Sequence, residues 1–219
     1  TLNNALALDN TAVGNNALRN LTSGATNVGI GRRAGYNIST SNNNTCVGNL
    51  SGSGITTGSF NTMLGYNTKA SASSVYNVFI GAKNGSTSNT GFVNIGLGRY
   101  VLRSATSGSY CIGIGDTALA GAITSAANGA IGIGQNALTA LTSGANNVGI
   151  GRNAGAAITT GSSNTFLGDA AKAGATASNN TIIGRNSGTT TIGSDNVALG
   201  VNCFNTAAGA ITQAIAIGT

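Results

Sequence analysis

The chain has no proline, histidine, glutamate or tryptophan among its 219 residues, and charged residues make up only 6% of it. Proline lacks the N–H that a strand donates to its neighbour, so its absence is typical of a chain whose backbone is committed to a sheet. Without histidine or glutamate, acid–base chemistry would rest on four aspartates, Asp9, Asp116, Asp169 and Asp195. What is present is mostly Gly, Ala, Ser, Thr and Asn.

Thirteen glycines divide the chain into repeats, which we call rungs. These rung glycines recur every 16 to 19 residues, at Gly14, Gly31, Gly48, Gly65, Gly81, Gly98, Gly115, Gly134, Gly151, Gly168, Gly184, Gly200 and Gly218. The interval is too short for a helix-pair repeat, which needs more than about thirty residues. The spacing predicts an all-β fold, a parallel β-solenoid of about 13 rungs of ~17 residues, in which residues 1–219 form one domain.

The residues before each rung glycine predict a strand with two distinct faces. The positions one and three before it are aliphatic or β-branched in every rung, which predicts that they form the core. The position between them carries no charge and should lie on the opposite face. We expect this face to contact another copy of the chain through Cys46, Met63, Phe79, Phe166 and Ile182. The alternative is that loops of the same chain cover it.

Asparagine stands four residues before the rung glycine in ten rungs. Stacked amides at the spacing between strands can hydrogen-bond from rung to rung, which predicts a structural ladder. Its members are Asn10, Asn27, Asn44, Asn61, Asn77, Asn94, Asn147, Asn164, Asn180 and Asn196. About seventeen residues per coil leave room for a second short strand, and therefore for a flattened solenoid.

The repeats resemble those of a known family. Asn-Val-Gly-Ile-Gly at 27–31 and 147–151 and Asn-Val-Ala-Leu-Gly at 196–200 are similar to the head repeats of trimeric autotransporter adhesins. They are also similar to repeats of bacteriophage tail fibres. The rungs here are longer than the usual adhesin head repeat, which favours the tail fibres over the adhesins. The resemblance covers essentially the whole chain. It implies a left-handed parallel β-roll that assembles as a homotrimer. It also implies a location at the surface of a virion, at the surface of a bacterial cell or outside the cell.

The position after each rung glycine marks an exposed corner with candidate contact residues. Arg32, Arg99, Arg152 and Arg185 occupy it, as does Tyr66, and Tyr100 is adjacent to Arg99. With a net charge of +6, this line of cations and aromatic rings predicts contact with an anionic glycan or receptor on a host cell. The alternative is a solvated edge that limits aggregation. Nucleic acid is not an expected partner, because the cations are widely spaced and interrupted by aspartate.

Enzymatic constellations are not expected. Asp116 and Asp169 share a column but stand three rungs apart, roughly 14 Å by strand spacing. Glycoside hydrolysis needs about 5–9.5 Å between its carboxyl groups. Cys46, Cys111 and Cys203 fall in three different columns, which argues against a disulfide framework or a metal site. We therefore expect no catalytic residue, no metal and no cofactor.

The sequence favours a non-enzymatic structural or adhesive fibre segment of a longer protein, with no direct insertion of this segment into a membrane. Residues 17–35 match 137–155 at fifteen of nineteen positions, which indicates growth by whole blocks of rungs, as suits a shaft. An alternative is a monomeric ice-binding solenoid, suggested by a row of hydroxyls at Thr22, Ser39, Thr56, Thr106, Thr124, Thr142 and Thr159. Another alternative is the subunit of an extracellular filament.

Overall fold

Thirteen short parallel strands, one for each rung, form a single sheet along the molecule. The computed structural model describes residues 8–188, 192–204 and 211–218. The strands are β1 (Thr11–Val13), β2 (Val28–Ile30), β3 (Thr45–Val47), β4 (Thr62–Tyr66), β5 (Val78–Ala82), β6 (Ile95–Arg99), β7 (Ile112–Asp116), β8 (Ile131–Ile133), β9 (Val148–Ile150), β10 (Thr165–Leu167), β11 (Thr181–Ile183), β12 (Val197–Leu199) and β13 (Ile215–Ile217). A 3₁₀ turn covers Ser125–Ala127.

Each strand pairs with the strands before and after it in sequence, in register with the repeat. In β9 and β10, for example, Val148 lies opposite Thr165 and Ile150 lies opposite Leu167. Equivalent residues of successive rungs are therefore stacked in columns. The predicted all-β parallel solenoid, with a rung of about seventeen residues, is confirmed.

The rung glycines turn the chain out of the strand where two coils touch closely. At Gly168 the backbone has φ of 136°, outside the range that side chains readily adopt. A Cβ atom there would lie 2.6 Å from the carbonyl oxygen of Gly184 in the next coil. Glycine is required for both reasons, which explains why this column never varies.

In the described residues the other side of each coil is a stack of turns without a strand, so the predicted second strand is wrong there. After Gly134, Asn136 and Leu138 have φ of 56° and 50°, and left-handed residues cannot continue an extended chain. These turns still hydrogen-bond between coils. Leu138 N donates to Ala154 O at 3.0 Å, and Thr142 N donates to Thr159 O at 2.9 Å.

The two faces of the strands are the reverse of the prediction. The proposed contact residues for another copy, Cys46, Met63, Phe79, Phe166 and Ile182, are at most 1% exposed and lie inside the coil. The columns predicted as core point outward, with Ile80 40% and Leu167 43% exposed. The physical reason is that the interior is thin and that side chains from the turns fill much of it. One inward column of each strand is therefore enough to complete the core.

Large and small residues alternate across this thin interior. The Phe79 ring occupies space that side chains on Gly85 and Gly96 would need, because a Cβ on either glycine would lie 2.7 Å from a ring carbon. Where the strand supplies Gly29, Leu18 of the preceding turn fills the space, with its Cγ 2.7 Å from that Cβ position. The turn side also contributes a buried column seven or eight residues after the rung glycine, Leu21, Ile38, Ile55, Ala105, Ile123, Leu141, Ile158 and Ile192.

Candidate functional site

The outward side of the sheet is a continuous uncharged surface, which we call the outer sheet face. It consists of the residues one and three before each rung glycine, and all 26 are Thr, Val, Ile or Leu. Exposed members include Val13, Ile30, Ile80, Ile95, Ile150, Leu167, Val197 and Leu199. Twelve steps of about 4.8 Å make it roughly 58 Å long. Exposed apolar patches of this extent mark interaction surfaces.

Aromatic residues border the outer sheet face at its middle rungs. Phe60, Tyr76 and Tyr110 stand five before the rung glycine, and each is about half exposed. The rings of Phe60 and Tyr76 are stacked with centroids 5.0 Å apart, and Phe92 meets Tyr110 edge-on at 5.3 Å. Sequence reasoning missed this row, although the shared position five before the rung glycine could have revealed it. It widens the apolar surface around β4 to β7.

The predicted asparagines form a hydrogen-bonded column inside the coil, at the entrance to each strand. Asn27 Oδ1 accepts from the backbone N and the Nδ2 of Asn44, at 3.0 and 3.1 Å. Asn44 Nδ2 also donates to Gly58 O at 2.9 Å, which joins the strand to the far side of the coil. Cys111 and Ala130 interrupt the column between Asn94 and Asn147. The column is structural and leaves its amides no free polar atom for a ligand.

The corner arginines do not form one site. Arg32 and Arg185 are exposed and far apart along the stack, and Tyr66 is exposed on its own rung. Arg152 Nη2 pairs with Asp169 at 2.8 Å. Arg99 holds Asp116 through two hydrogen bonds of 3.0 and 2.9 Å, which lower the pKa of that carboxyl group. Two of the four predicted cations are thus neutralised by the next rung.

A second group of cations surrounds Tyr100. Tyr100 and Arg99 were predicted as contact residues, whereas Lys83 and Arg103 were not. Lys83 Nζ lies 5.4 Å and the Arg103 guanidinium carbon 5.0 Å from the centre of its ring, and Arg99 lies at 5.1 Å. Lys69, Lys83, Tyr100 and Arg103 line a concave volume of about 420 Å³, which we call the basic recess. The two lysines and Arg103 stand in different columns of the repeat, so the repeat pattern alone does not place them together.

The row of hydroxyls on the turn side is used within the stack. Thr22 Oγ1 donates to Ser39 O at 3.0 Å, and Thr142 Oγ1 donates to Thr159 O at 2.9 Å. Thr124 makes the same contact with Thr142 O at 3.1 Å. These hydrogen bonds explain why Thr and Ser stand at these positions, and the explanation requires no binding to ice.

The three cysteines are free and buried. Burial raises the pKa of the Cys46 thiol to about 12, which keeps it protonated and unreactive. Within the described ranges, no group of three or more His, Cys, Asp or Glu side chains is placed to hold a metal ion. No helix in that part of the chain is long and apolar enough to span a membrane.

Comparison with known proteins gives no relative: no family model, no curated protein and no solved structure matches this chain. The similarity to adhesin head repeats and tail-fibre repeats therefore stays a prediction from its motifs.

Proposed function

We propose that the chain is a non-enzymatic structural and adhesive segment of a fibre, such as a bacteriophage tail fibre or a bacterial surface adhesin. In this proposal three copies associate through the outer sheet face, and the fibre extends from a virion or cell to contact a host receptor or glycan. The observation that carries it is the uncharged surface of Val, Ile, Leu and Thr side chains along the whole sheet.

The dimensions of the outer sheet face support self-association. A strip roughly 58 Å long and about 10 Å wide is of the same order as the ~800 Å² that each partner buries in a standard interface. A surface of equal length on a second copy offers the same periodic shape, since both repeat at the spacing of the strands. Another copy of this chain is therefore a fitting partner, and a stack of repeats suits a shaft of adjustable length.

The exposed corners support the adhesive part of the proposal. Arg32 and Arg185 make no salt bridge in the described part of the chain, and both extend from rigid corners into solvent. Such cations attract anionic groups of a host glycan from a distance. Arg99 and Arg152 contribute less, because each is paired with an aspartate.

Light scattering with two matched variants tests the assembly. The wild-type segment should have three times the 21.2 kDa chain mass. Ile150 and Leu167 lie opposite each other on the outer sheet face, so replacing both by Lys should yield a folded monomer. Thr57→Lys with Thr160→Lys adds the same charge to exposed turns and should leave the trimer intact. A wild-type segment that is a monodisperse folded monomer would overturn the proposal.

A further inference from the structure

The basic recess exists because the regular turn is missing from two adjacent rungs. After most rung glycines the chain forms a tight turn, as at residues 49–54 and 135–140. After Gly65 and Gly81 it does not, and β4 and β5 continue to Tyr66 and Ala82. The space that a turn would fill is left open between these rungs and the next one. The recess is therefore a departure from the repeat.

The recess concentrates positive charge without a carboxylate to balance it. Lys69, Lys83 and Arg103 line it, and within the described residues none of the three forms a salt bridge. Asp116, the nearest acidic residue in the same stack of corners, is already held by Arg99. Three like charges around one cavity repel one another, so that an anion placed among them is favoured.

The backbone fixes the positions of these groups before any ligand binds. Asn67, Lys83 and Tyr100 occupy the same column in successive rungs, with left-handed φ of 52°, 56° and 59°. Lys83 N donates to Tyr66 O at 2.9 Å and Tyr100 N donates to Ala82 O at 3.0 Å, so the ladder between coils sets their spacing. Lys83 Nζ also donates to the Tyr100 hydroxyl at 3.4 Å. A site built on such a scaffold loses little freedom on binding.

We propose that the basic recess binds the anionic groups of an acidic polysaccharide, which are carboxylate, sulfate or phosphate. The Arg103 guanidinium can form two parallel hydrogen bonds to such a group, while the lysines act as point charges. Asn67 and Ser86 supply polar walls for sugar hydroxyls. A volume of about 420 Å³ lies in the range of ligand sites, roughly 300–1,000 Å³. The choice of a saccharide rests on the proposed fibre function.

Binding of dextran sulfate and of neutral dextran, measured by calorimetry, tests the site. The recess variant replaces Lys69, Lys83 and Arg103 by Gln. The control variant replaces Arg19, Arg33 and Lys172 by Gln, and both variants reduce the net charge from +6 to +3. We expect the recess variant to bind dextran sulfate at least about tenfold more weakly, because charge-assisted hydrogen bonds are lost. We expect the control to keep most of its affinity, and neither protein to bind neutral dextran.

A single substitution separates the site from a general loss of folding. Tyr100→Asn keeps a residue type that the same column already holds at Asn67 and Asn136, both with left-handed φ. It removes the ring that Lys83 and Arg103 contact, so dextran sulfate binding should weaken while the melting temperature is retained. A circular dichroism melt of each variant verifies the fold.

Three outcomes would overturn the inference. Equal loss of binding in the recess and control variants would mean that diffuse surface charge attracts the polymer. Tighter binding of a single-stranded oligonucleotide than of dextran sulfate at the recess would assign it to nucleic acid. Light scattering of the same samples reports the oligomeric state independently, so a protein that assembles as a trimer without binding dextran sulfate would refute the site and leave the fibre proposal standing.

Discussion

The contact between Phe79 and Gly96 inside the coil offers a quantitative test of which strand face is buried. Phe79 is 1% exposed, and replacing it by Ala should destabilise the fold by about 3–5 kcal/mol through the cavity left behind. Gly96→Ala adds a Cβ atom 2.7 Å from the Cδ1 of that ring, and such overpacking costs about 1–3 kcal/mol. Each single substitution should therefore be destabilising.

Combined, the two substitutions should compensate. Without the Phe79 ring, the Cβ atom added at position 96 has room, and its remaining neighbour Val101 Cγ1 lies at an ordinary 3.4 Å. Gly96 lies outside the positive-φ region, so Ala is compatible with its backbone and gains about 0.5–1 kcal/mol over Gly in a strand. Gly96→Ala should thus be destabilising in the wild type and stabilising beside Phe79→Ala, a coupling of about 2 kcal/mol.

Urea unfolding followed by far-ultraviolet circular dichroism measures this cycle, at one protein concentration for all four proteins since association adds to apparent stability. If position 96 faced solvent, its substitution would have the same small effect in both backgrounds. Free energies of unfolding that add within about 0.5 kcal/mol would refute the inward placement of Phe79 and Gly96.

Three further predictions test the column structure. Asn147→Ala should destabilise by about 1–3 kcal/mol in the same unfolding assay, because the buried N–H of Asn164 loses the Oδ1 that accepts it at 3.0 Å; no loss would mean that the column adds nothing to the fold. Val93→Asn should stabilise by about 1 kcal/mol, because φ of 56° strains a β-branched residue. The reverse change at the equivalent Asn146, Asn146→Val, should destabilise by a similar amount, and equal melting temperatures would contradict the argument. Cys46, with its thiol pKa raised to about 12, should resist iodoacetamide at pH 8 until the protein is unfolded, and mass spectrometry showing native-state labelling would refute its burial.

The repeat itself could be predicted from sequence because its constraints are local and recur in every rung. The rung glycine at Gly168 is needed for its φ and for the approach of Gly184, and the same two constraints act on each coil. The stacked asparagines follow from the same periodicity. A pattern in which each rung contacts only its neighbours therefore fixes the strands and their register.

The sequence misled on the faces because both sides of the strand are uncharged. Ile80 is aliphatic in an invariant column and was predicted to be buried, yet it points outward next to inward Phe79. The side chains of Asn77 and Phe79 lie on the same side of the strand, and both are at most 1% exposed. A buried amide needs partners on both neighbouring rungs and across the coil, and only the interior offers them. The asparagine column therefore indicates which face of the strand points into the coil, and it could have been used to predict that face.

The basic recess could not be predicted from columns, because it depends on the rungs that break the pattern. Lys69, Lys83 and Arg103 follow their rung glycines by four, two and five residues. Only the missing turns after Gly65 and Gly81 bring them around one cavity. Because most rungs follow the repeat, a local departure from it is a place to look for a ligand.

Because the faces are reversed, the surface proposed for association is the outer sheet face and not the column of Phe166, but association between copies remains the proposal. An association surface was inferred from the uncharged column at Phe166, which instead fills the coil. Its neighbour Leu167 is 43% exposed on the outer sheet face. A solvated sheet normally carries polar side chains outward, yet the two outward columns of this sheet hold only Val, Ile, Leu and Thr. The folding of one chain already buries the inner column, whereas much of the outer columns stays exposed, and the proposed burial between copies would account for their uncharged side chains.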